Sequence, residues 1–169
     1  MMKHIVITAL ALLLCFNAFS QNTTHLDLWG IPIAGNITDF SKQLVQKGFK
    51  QVDYSYDPSE SSIIYKGKFP GDSIGSLWEG DTIIVTATYF NDNKRVYKVA
   101  QAIAFSSKSE CDKYLMKQKA MYEERYKGKT EWNGLLQALE IKNKGVIYLD
   151  IKDIKNRNIA IIGIEDLQP

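Results

Sequence analysis

For nucleophilic or metal chemistry the chain carries two histidines and two cysteines. His4 and Cys15 fall in an apolar N-terminal stretch that reads as a leader, which leaves His25 and Cys111. A Ser-His or Cys-His nucleophile pair would have to use His25, in the polar stretch QNTTHLDLWG, read here as a loose segment. A zinc site normally draws on several His or Cys ligands, and one of each remains. No HExxH, Walker-type GxxxxGK, CxxC or GxGxxG is present. Among the 19 acids, the pairs Asp150 with Asp153 and Glu123 with Glu124 read as solvated charges, because nothing in the sequence sets one carboxyl of a pair apart from the other. The expectation is a chain that is not an enzyme and takes no metal or cofactor.

The N-terminus has the pattern of an export signal. Lys3 and His4 give a basic start, residues 5–16 are mostly apolar, and Ala18-Phe19-Ser20 supplies small residues for signal peptidase, making Gln21 the new N-terminus. The apolar run is shorter than the ~20 residues a spanning helix needs. Leu14 before Cys15 argues against lipid attachment, which favours a small residue there. A periplasmic or secreted location is expected, with no transmembrane helix after cleavage. Removing residues 1–20 leaves 149, with 20 Lys+Arg against 19 Asp+Glu, since Lys3 is the one basic residue lost. So balanced a charge gives no case for nucleic acid or an anionic membrane. Such a length suits one domain, able to bury ~68–70% of its unfolded surface without a disulfide. Cys111 alone forms none within the chain.

The stretch 81–105 anchors the expected architecture. DTIIVTATYF and RVYKVAQAIAF are two β-branched and aromatic runs around a polar Asn/Asp cluster, a hairpin pattern. An odd loop such as Asp92-Asn93-Lys94 sorts the side chains cleanly. Ile83, Val85, Ala87 and Tyr89 then share a face with Tyr97, Val99, Gln101 and Ile103. The opposite, open face takes Thr82, Ile84, Thr86, Thr88 and Phe90 beside Val96, Lys98, Ala100 and Ala102, and the C-terminal hairpin extends it with Ala138, Glu140, Tyr148 and Asp150.

Elsewhere the sequence spells an extended segment over 21–36 and a single domain over 37–169. Thr38 is expected to cap a first helix carrying Phe40, Leu44 and Val45 and stopped by Gly48. Strands follow over 51–56, with Val52, Tyr54 and Tyr56 half-buried, and over 62–69. Ser107 and Glu110 form a capping box for a second helix with an apolar face of Cys111, Tyr114, Leu115, Gln118, Tyr122 and Tyr126. Gln118, buried there, is expected to bond Gln101 or a backbone group. Residues 132–142 fit helix or strand. The loop Asn143-Lys144-Gly145 favours strand, placing Ile141 opposite Ile147 and Leu139 opposite Leu149. Residues 146–152 and the run from Ile159 complete an antiparallel meander. The fold class expected is two-layer α+β, with both helices on one face of the sheet.

The residues GIPI at 30–33 with Gly35, Ile37 and Phe40, KGF at 47–49, VYKVA at 96–100 and KGVIYL at 144–149 resemble those of a group of functionally uncharacterised exported proteins of Gram-negative gut bacteria. The likeness covers most of the mature chain and departs from the group after Lys127, where the ending Tyr-Gly-Lys-Pro is missing. The layout is similar to β-lactamase-inhibitor-like folds, and that resemblance implies protein binding on the open sheet face. The residues expected to carry it are Ile84, Thr86, Phe90, Val96, Lys98 and Tyr148, against an unknown protein partner. The alternative is a glycan or small ligand stacked on Trp78, in the loop PGDSIGSLWEG; a simpler role for Trp78 is packing on the core edge with Ile74 and Leu77.

Overall fold

The computed structural model describes residues 25–68, 82–126, 130–133, 137–154 and 156–168. Along them lie β1 (Asp27–Leu28), β2 (Ile31–Pro32), α1 (Ile37–Gln46), β3 (Lys50–Tyr56), β4 (Glu60–Lys68), β5 (Thr82–Phe90) and β6 (Val96–Phe105). Then come α2 (Lys108–Arg125), β7 (Thr130–Asn133), β8 (Gln137–Ile141), β9 (Gly145–Ile154) and β10 (Arg157–Asp166). The last eight strands form one antiparallel sheet in the order β3-β4-β5-β6-β10-β9-β8-β7. A helix followed by a four-strand meander thus occurs twice, and the meanders join through their last strands, β6 and β10. Residues 132–142 hold the end of β7 and the whole of β8, so the second meander has one strand more than expected.

Both helices cover the same face. Tyr65, Val85 and Gln101 are register partners across β4, β5 and β6 and therefore share a face. Ser41 of α1 is hydrogen-bonded to the Tyr65 hydroxyl, and Gln101 donates to the Tyr114 hydroxyl of α2 at 3.1 Å. The α+β class with helices on the sheet is therefore the observed one. Ile83, Val85, Ala87, Val99, Ile162 and Ile164 are buried under that layer. The helices start where local chemistry satisfies their free N–H groups. Asn36, not Thr38, caps α1, its side chain accepting from Thr38 N at 2.8 Å. Ser107 and Glu110 close the expected capping box on α2.

The segment before α1 is not loose. β1 and β2 pair as a short strap, and Leu26, Leu28, Ile31 and Ile33 are fully buried. Two buried carboxylates hold it. Asp166 accepts from Leu26 N at 2.8 Å and lies 3.3 Å from His25 Nδ1. Asp27 accepts from Gly30 N at 2.8 Å and pairs with Arg125.

Three local expectations change. β3 is the outer strand and exposed throughout, with Val52, Tyr54 and Tyr56 at 54%, 48% and 68%, so its alternation does not mean half-burial. The β5–β6 loop has four residues, 91–94, since Phe90 N donates to Arg95 O. A bulge then absorbs the parity: Tyr89 pairs with Val96 but Thr88 with Lys98. The β8–β9 register sits two residues from the expected one, with Ile141 opposite Gly145 and Leu139 opposite Ile147, which preserves the faces. The left-handed turn residue is Asn143, at φ 60. Gly145 serves a different need, because a Cβ there would run into the Glu165 carbonyl oxygen.

Two stability outcomes follow from this packing. Gly145→Ala forces backbone against backbone and is expected to cost about 2–4 kcal/mol in urea unfolding; a loss below ~0.5 kcal/mol would contradict the close approach. The expected Gln101–Gln118 bond is not formed: Gln118 is buried and its Nε2 has no partner. Gln118→Leu should therefore leave stability unchanged or raise it by about 1 kcal/mol.

Candidate functional site

The face of the sheet turned away from the helices is built from alternate residues of β4, β5, β6, β10, β9 and β8. Its central row runs Ile64, Thr86, Ala100, Gly163, Tyr148, Ala138 by register. Short side chains dominate the row, and at Gly163 even a methyl is excluded, because an added Cβ would lie 2.3 Å from Cδ2 and 2.4 Å from Cε2 of Tyr148. The Cδ2–Cε2 edge of that ring faces the glycine, and its hydroxyl donates to Glu165. Lys98 Nζ sits 3.6 Å from the same carboxylate and 5.7 Å from the Tyr148 ring centre.

A matching pair stands on the other half of the sheet. Tyr97 donates to Glu60 and stacks on Phe90 with ring centres 4.2 Å apart, while the Arg95 guanidinium covers Phe90 at 5.5 Å. Ser62 and Thr88 share a hydrogen bond of 2.9 Å beside them. Burial pushes both phenols well above their ordinary range, and the carboxylates they donate to push them further; Glu165 acts on both rings. The two Tyr–Glu pairs are thus one electrostatic cluster bridging the two meanders.

Five of the six residues expected to line this face are on it: Ile84, Thr86, Phe90, Lys98 and Tyr148. Val96 is not. The bulge turns it into the core, fully buried opposite Tyr89, and Tyr97 takes its place on the open side. Both side chains gain: the valine loses water contact, and the phenol finds a carboxylate. Sequence reading missed Tyr97, Glu60, Glu165 and Gly163, since parity alone hides a bulge and the last strand reads as apolar on both faces.

The remaining reactive groups lie apart from this face. Cys111 is fully buried in α2, and burial pushes its thiol up, which suppresses the thiolate. His25 belongs to the strap beside Asp166. Trp78 lies outside the described residues. One motif escapes a reading by composition: Gly71, Ser73 and Gly75 spell Gly-x-Ser-x-Gly. They too lie outside the described residues.

A groove of 530 Å³ runs along α1, lined by Ile37, Ser41, Lys42, Val45 and Ile63. It borders the exposed β3, but that edge is partly blunted, because Tyr54 N–H is taken at 2.8 Å by the Asp53 carboxylate of its own strand.

Tyr65, Tyr89, Tyr97, Tyr114, Tyr122, Tyr126 and Tyr148 are all raised, chiefly by burial, Tyr126 to about 12. Unfolded phenols ionise near ~10, so above that pH the unfolded chain sheds protons the folded chain keeps. Stability is expected to hold below ~10 and to fall above it. Most phenolate absorbance should therefore appear together with loss of circular dichroism. Full ionisation near 10 in a still-folded protein would refute the burial of these rings.

No family model, no curated protein and no solved structure matches the chain.

Proposed function

We propose that this chain is an exported, non-catalytic module that binds a protein through the uncovered sheet face. The observation carrying this reading is the shape of that face: a band of short side chains, with aromatic and isoleucine side chains placed to act as anchors around it. Thr86 and Ala100 admit close approach of a partner surface, while the Tyr148 ring fills the space at Gly163. Phe90 with Tyr97, Tyr148 and Ile84 are candidate anchors, and a few such residues typically carry most of an interface's energy. The hydroxyls of Tyr97 and Tyr148 are already bonded to Glu60 and Glu165, which fixes both rings before a partner arrives. Burial of Cys111 and the strap position of His25 favour binding over nucleophilic chemistry. The basic-apolar-small start of the sequence supports export, and cleavage after Ser20 is part of the proposal.

The charge pair Thr86→Glu and Ala100→Glu tests the face. Folding should change by no more than about 0.5 kcal/mol per site, while a partner captured from the native envelope by the unaltered chain should be lost. Equal capture by the folded double variant would exclude this face. N-terminal sequencing from the host should begin at Gln21; an intact Met1 or a lipid on Cys15 would remove the export part of the proposal.

A further inference from the structure

Charge on the open face is sorted along the strands. Register places Glu60, Glu140 and Glu165 at one end, against Lys98 and Arg95, while Asp53 stands in the central row opposite Ile64. At the other end stand Lys50, Lys66, Lys68, Lys152 and Arg157, against Asp150. Three acids against two bases make the first end net −1; five bases against one acid make the second net +4. Between them the rows of Thr86 and Ile84 are nearly uncharged across β5, β6 and β10. Two strands repeat the order in miniature. On β4, Glu60 and Lys68 flank Ile64; on antiparallel β10, Glu165 and Arg157 flank Ile161.

Resting on the reading of this face as a protein-binding surface, we infer that its partner is a second copy of this chain, stacked face to face with strands reversed. A two-fold axis lying between the sheets and crossing the strands brings each acidic end over the partner's basic end. With the axis between the rows of Ile64 and Ile84, Glu60 and Glu165 each fall within two residues of the partner copy's Lys68 on β4 and Arg157 on β10. Ile64, Ile84 and Ile161 fall in the middle, where contact excludes water. The same surface is used on both copies, as a two-fold interface requires. The alternative axis, along the strands, sets acid on acid and base on base and is disfavoured. Size fits as well. Six strands at ~4.8 Å spacing and about nine residues at ~3.3 Å span a patch on the order of 700 Å², close to the ~800 Å² per partner of a stable interface. Short central side chains allow the ~10 Å approach of packed sheets.

Sedimentation velocity on the purified chain tests this through charge complementation. The unaltered protein should dimerise in the micromolar range and dissociate as salt rises. Lys66→Glu, Lys68→Glu and Arg157→Glu together make both ends acidic; Glu60→Lys with Glu165→Lys makes both basic. Each variant alone should associate at least ~10-fold more weakly, and an equimolar mixture should recover the dimer. Near-ultraviolet circular dichroism checks that each is folded. Should the lysine pair fail that check, Glu60→Gln with Glu165→Gln retains an acceptor for each phenol and must still weaken association. A monomer throughout the micromolar range overturns the second-copy partner while leaving the open-face reading to its own capture test. A dimer that survives both variants and Ala100→Glu overturns the inference by placing the interface elsewhere.

Discussion

Everything in this fold depends on the pairing of β6 with β10. Each meander alone is a sheet with two open edges and one helix, too thin to bury its strands on both flanks. Joining the last strands removes one edge from each half. The contact runs from Asn158 opposite Phe105 to Glu165 opposite Lys98, most of the length of both strands. It gives α2 a continuous floor of Gln101, Ile103, Ala160 and Ile162 to pack on. It also fixes which side chains meet on the uncovered side, because Lys98 can reach Glu165 only if those strands are neighbours in this register.

The strap is the second constraint. Burying Asp27 and Asp166 would be costly without compensation. Asp27 has Arg125 and a backbone N–H; Asp166 has Leu26 N, Gln168 N and the nearby His25 imidazole. These partners come from the strap, the end of α2 and the C-terminal segment. The polar cost is therefore met only when three regions distant in sequence are in place together, which makes the strap a closure of the second half rather than a tail on the first. Its isoleucines and leucines then fill the core beside α1.

The sequence announces the parts of this fold that depend on local chemistry. The capping box at Ser107, the six-residue apolar face of α2, the stop at Gly48 and the two-sided apolarity of β10 are all visible as residue types at fixed spacing. What it hides depends on partners remote in sequence. Val96 and Tyr97 exchange faces because of a bulge, and no residue between 91 and 98 marks one. Val52, Tyr54 and Tyr56 alternate like a half-buried strand, yet no element among the described residues covers them, and only the sheet order reveals that β3 is outermost. Gly145 looks like a turn glycine beside Asn143 and Lys144; its true constraint is the Glu165 carbonyl twenty residues on. Of the candidate face, the threonine, alanine and isoleucine floor was legible from parity. The Tyr–Glu cluster was not, because each of its bonds crosses between strands whose adjacency is a tertiary fact.

Cys111 sits at the first turn of α2, sealed from solvent against the sheet. A thiol so placed reacts with an alkylating reagent only during moments when the helix lifts away. Its modification rate in native buffer is therefore a clock for that opening, readable by mass alone and without an engineered residue. Because α2 rests on β10, β6 and β9 at once, the clock reports the docking of the helix across the seam of the two meanders, not fraying at the sheet's outer strands.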